Sequence, residues 1–159
     1  MSRDNLHTYL QDHLAGARSA LEVLAHLRDS ADDAPLRAIA GELHAEVTAD
    51  RDLLAGLAQE VGGGSNPLKE AGAWLAEKVA RLKLGSVGGA PSGLPALEAV
   101  EFLCLGILGK VALWDALAAA SAVDLTLRSR PYAALRDSAR TQHDRLELHR
   151  VRLAASVLS

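Results

Sequence analysis

Seven residues of this 159-residue chain place chemically active side chains on or beside apolar helical faces: His13, Glu46, Asp50, Glu101, Gln142, His143 and Arg150. On wheels drawn at 100° per residue, His13 falls between Leu10 and Ala17, and Asp50 lies near the centre of its stripe with Glu46 on the flank. Glu101 flanks a third stripe, Gln142 and Arg150 turn inward on a fourth, and His143 sits at its edge. Two kinds of chemistry suit such a set. Imidazoles and carboxylates together can ligate iron, manganese or zinc. The same groups can instead satisfy one another, because buried charges must be paired. In that second case His13, Asp50 and Gln142 hydrogen-bond one another and Arg150 neutralises Glu101. Depth favours a meeting, since His13, Asp50 and Gln142 or His143 each lie ~10 residues, or ~15 Å, from one end of their helices.

Other candidates are weaker. Glu22 and His26 stand four residues apart but more than ~120° from the apolar arc, as a solvated pair would. Asp4 and His7 read as a helix N-terminus. Cys104, the single cysteine, excludes an intramolecular disulfide and sits in Phe102-Leu103-Cys104-Leu105 as a small apolar residue. There is no serine–histidine–acid arrangement, CxxC or GxGxxG, and Gly62-Gly63-Gly64 lacks the strand–loop–helix context of a phosphate site.

Composition bounds the scaffold. Thirty alanines and twenty-nine leucines against one Phe, two Tyr and two Trp make an all-α chain with a core of small and medium side chains. A net charge of −3 argues against nucleic acid, which calls for a basic face. The N-terminal residues carry no leader pattern, so a cytoplasmic location is expected. Lys110 and Asp115 interrupt the most apolar stretch, Phe102 to Val123, so no membrane span is expected.

Four long helices must position these residues, at about 4–28, 35–61, 94–122 and 132–158, in a single domain covering 1–159. The second carries the clearest stripe, Leu36, Ile39, Leu43, Val47, Leu54, Leu57 and Val61, with Asp33 as its cap and Pro35 in its first turn. The third is apolar all round, so it must be covered by a further helix or a second subunit, and a homodimer is expected. A shorter helix at about 67–84 separates helices 2 and 3. At 1.5 Å per residue it reaches ~25 Å, long enough with its flanking loops to return along the bundle and leave helices 2 and 3 parallel.

Four helices, a long helical crossover and inward polar residues from every helix resemble the ferritin-like superfamily, a four-helix bundle fold. Tyr9-Leu10-Gln11-Asp12-His13-Leu14-Ala15-Gly16 and Gly106-Ile107-Leu108-Gly109-Lys110 are similar to an uncharacterised bacterial branch of it. The resemblance implies an acid on helices 1 and 3 and Glu-x-x-His on helices 2 and 4, holding two metal ions. Here helix 1 offers His13, helix 2 Glu46-x-x-x-Asp50, helix 3 Glu101 and helix 4 Gln142 with His143, a degenerate motif. The expected role is a non-catalytic structural or interaction module with a buried polar network and no cofactor. The alternative is a di-iron or di-manganese carboxylate oxidoreductase with altered ligands, His13, Glu46, Asp50, Glu101 and His143.

Overall fold

The computed structural model describes residues 2–62, 76–77, 79–80 and 92–159. Four long helices make up almost all of them: α1 (Ser2–Ser30), α2 (Ala34–Val61), α3 (Gly93–Ala120) and α4 (Tyr132–Val157), with a 3-10 turn at Leu125–Leu127. No strand occurs among the described residues. The crossover helix expected at 67–84 falls mostly outside them, although Ala76, Glu77, Val79 and Ala80 are helical and Val79 is buried.

Local chemistry sets the helix ends. Asp33 caps α2 by accepting from the Leu36 N–H at 2.7 Å, and Pro35 occupies the first turn. Gly62 ends α2 at φ 67°, a left-handed conformation that glycine takes without a Cβ clash. Tyr132 locks the turn before α4 by donating its hydroxyl to the Leu127 carbonyl at 2.8 Å.

Ion pairs give the direction of each helix. Asp33, at the start of α2, meets Arg152, near the end of α4, at 2.6 Å. Glu60, at the other end of α2, meets Arg130, just before α4. These helices are therefore antiparallel. Asp115 with Arg136 and Glu101 with Arg150 establish the same for α3 and α4. It follows that α2 and α3 run parallel, and that Val61 and Gly93 lie at opposite ends of a bundle ~40 Å long. The strongest packing is within the α1–α2 and α3–α4 hairpins; α1 also packs on α3 and α2 on α4, which leaves α2 and α3 on a diagonal.

The α2 stripe is buried throughout, and Leu10, Leu21, Leu24, Leu103, Trp114, Leu117, Ala139 and Leu146 close the core around it. Among the described residues α3 keeps an exposed apolar face, the face for which a further helix or a second subunit is expected as cover. Leu94, Leu105 and Leu108 are 50%, 70% and 48% exposed, on the side that α1, α4 and the 3-10 turn, the described elements packed on this helix, leave open. Gly93–Ala120 is long and apolar enough to cross a bilayer by length and composition, with a mean hydropathy of 1.7 in a window that is 33% buried. That helix begins nine residues before the stretch read from the sequence, and two charges do not lower its average enough. Both charges are nevertheless engaged inside the chain, Lys110 by Asp50 and Asp115 by Arg136.

Candidate functional site

At the centre of the bundle stands a three-residue network. The Lys110 Nζ lies 2.6 Å from Asp50 Oδ2 and also donates to Gln142 Oε1, while the Gln142 amide donates to the same Asp50 oxygen at 3.5 Å. The Lys110 and Asp50 side chains are 13% and 16% exposed, and Gln142 is 2% exposed. Lys110 reaches both partners because its four-carbon stem carries the ammonium from α3 across the diagonal to α2. Each member satisfies the others, as a polar cluster held in a low-dielectric interior requires.

The structure brings Asp50 and Gln142 together but leaves His13 outside their network, which corrects the expected three-way contact. Among the described residues no hydrogen bond joins His13 to either. Its ring instead stands edge-on to Tyr9, centroids 4.6 Å apart. Burial lowers its pKa, with Asp12 opposing, so the neutral imidazole is favoured. Glu46 lies on the α2–α4 seam, where Arg145 holds it at 2.7 Å and also bonds Glu42. Glu101 is 3.5 Å from Arg150, whose guanidinium is committed more closely to Glu147, at 2.7 and 2.6 Å.

These placements test the di-metal reading directly. Two divalent ions need about four carboxylates supplied from the helices. Among the described residues the central carboxylate, Asp50, already carries an ammonium, Glu46 carries a guanidinium, and Glu101 stands beside another. The residues present do not fit a di-metal centre.

Beside the network lies a cavity of about 300 Å³ between α1, α2 and α3. Gly16, Ala17 and Ala20 form one wall, and Gly106, Leu113 and Trp114 another; His13, Asp50 and Lys110 also line it. Trp114 is 1% exposed, and its indole N–H is buried with no acceptor among the described residues. Such a space can enclose a small apolar group.

A second polar group sits between α3 and α4. Ligand atoms of Cys104, His143 and Glu147 all lie within 4.8 Å of one another. Burial first, then the Glu147 carboxylate, push the Cys104 thiol up to about 11. Hydrogen bonds from Arg150 hold the Glu147 carboxyl below its ordinary range. Sequence reasoning singled out His143 but not its partners. The available signal was the i,i+4 spacing of His143 and Glu147, which puts both on one helix face. Lys110 was also missed: it lies in line with the buried Leu103, Ile107, Trp114 and Leu117, but α3 is apolar all round, so a wheel does not mark its inward side. Comparison with family models, with curated proteins and with solved structures finds no match to this chain.

Proposed function

We propose that this chain is a ferritin-like crossover bundle working without a di-metal centre, as a non-catalytic structural or interaction module of the cytoplasm that pairs with a second copy. The observation that carries this reading is the Lys110 ammonium between Asp50 and Gln142, a fixed internal cation among the inward polar groups. An ammonium satisfies a buried carboxylate without offering an open coordination position or a redox couple. The parallel α2 and α3 support the crossover topology, and the exposed apolar face of α3 supports pairing. Elemental analysis of protein purified without chelators or metal-binding tags tests the reading. It predicts no stoichiometric iron or manganese; two equivalents per chain that are lost in Asp50→Asn would overturn it.

The cavity favours a second, compatible role: holding a small, mostly apolar molecule that carries one hydrogen-bond acceptor for the Trp114 N–H. A medium-chain alcohol should then change tryptophan fluorescence saturably, and Ala17→Leu, which fills the space, should abolish the response. An unresponsive wild type, or an equally responsive variant, would reject this role.

A further inference from the structure

We infer that Cys104, His143 and Glu147 form a mononuclear zinc site on the α3–α4 face, with three protein donors and a fourth position open to water. None of these residues belongs to the central network, so the inference stands apart from the proposed function. The donors converge without rearrangement of the helices, all three ligand atoms being within 4.8 Å of one another. Two come from one turn of α4 and the third from the facing turn of α3, so forming the site needs the α3–α4 hairpin to be folded.

The donor types select the metal. A thiolate and an imidazole with one carboxylate suit Zn²⁺, which binds sulfur, nitrogen and oxygen in tetrahedral sites; calcium and magnesium prefer oxygen alone. Charge balances only with the neighbours counted: Zn²⁺ and the Arg150 guanidinium together match the Cys104 thiolate and the Glu147 and Glu101 carboxylates. Binding displaces the thiol proton to solvent as the zinc–sulfur bond forms, and nothing is oxidised or reduced.

The outer groups are in place as well. Arg150 grips both oxygens of Glu147 through single hydrogen bonds, fixing the carboxylate while each oxygen keeps a further lone pair. The Asp144 carboxylate lies 3.5 Å from the His143 Nδ1. Such outer-sphere partners orient metal ligands. Access is open from the α4 side, where the His143 and Glu147 side chains are 21% and 35% exposed, whereas Cys104 is buried.

The test is titration of metal-stripped, reduced full-length protein with Co²⁺ and then Zn²⁺. We expect one equivalent of cobalt to bind with a thiolate-to-cobalt charge-transfer band, which zinc then bleaches. Cys104→Ser should remove that band, and both it and His143→Gln should weaken zinc binding by about tenfold or more. Asp52→Asn, an exposed position outside the site, should bind as the wild type does. Helical circular dichroism on each variant separates lost ligation from lost folding, and His143, being partly exposed, is the substitution least able to unfold the chain. Absence of saturable binding would overturn the site. So would cobalt bound without a sulfur band, or zinc affinity unchanged in both ligand variants.

Discussion

Lys110 and Asp50 hold each other in an interior that would tolerate neither alone. Removing one partner of a largely buried pair leaves the other desolvated and uncompensated, whereas removing both can be close to neutral. Lys110→Met should therefore cost about 2–4 kcal/mol, since the Asp50 carboxylate would keep only the Gln142 amide as a partner. The double variant Lys110→Met with Asp50→Asn should be more stable than Lys110→Met alone, because an Asn at 50 is neutral and can bond Gln142. Urea denaturation of the two single variants and the double variant gives the coupling energy. Simple additivity of the single effects would show that this pair does not organise the centre.

At the scale of the element, Asp33 joins two tasks: it caps α2 and ties the start of that helix to the end of α4 through Arg152. The Arg152 hydrogen bond first, and then the Leu36 N–H, hold its carboxyl below the ordinary 3.8. With the folded value below the unfolded one, the unfolded chain binds more protons between them, so stability rises with pH there. This contribution is fully present above about pH 4 and is lost as pH falls through the depressed folded value. Asp33→Ala should cost about 1–2 kcal/mol at neutral pH and almost nothing once the wild-type carboxyl is protonated. Equal losses at both pH values in thermal melts would refute the assignment. Asp33 was legible in the sequence because a cap, a proline and an apolar stripe are local signals. The whole α2 stripe was legible for the same reason, and the helix bounds fall within two residues of those expected. Contacts between helices were less so. A wheel finds an inward face by contrast, and on α3, apolar all round, nothing marks the stripe of Leu103, Ile107, Trp114 and Leu117 on which Lys110 sits. Arg145 and Arg150 likewise choose among acids on α2, α3 and their own helix by how α4 is rotated, which packing sets and sequence spacing does not. Cys104 reads as an apolar filler until α4 brings His143 and Glu147 beside it.

For the molecule as a whole, the outer face of α3 is the surface that calls for a partner. Leu105 and Leu108 stand exposed one turn apart, with Ala112 beyond them, and Gly106 and Gly109 lie alongside. A glycine inside a helix costs roughly 1 kcal/mol relative to alanine. Among the described residues a Cβ at either position would meet nothing within 4 Å, so packing between the described helices does not require them. Small residues there do let another helix approach closely. Among the acids bounding the face, Glu101 is paired from α4 by Arg150 and Asp115 by Arg136, which lowers the charge that two copies bring together there. A bilayer is the competing cover for so apolar a helix, but it would have to accept the rows of ionic groups on the neighbouring α4. Pairing of two copies through α3 predicts a dimer in sedimentation velocity. It also predicts that Leu105→Glu with Leu108→Glu yields a monomer of unchanged helical content, since neither side chain contributes to the buried core. A wild type that sediments as a monomer at high micromolar concentration, or one that floats with lipid vesicles while the double variant does not, would assign the face to something other than a second copy.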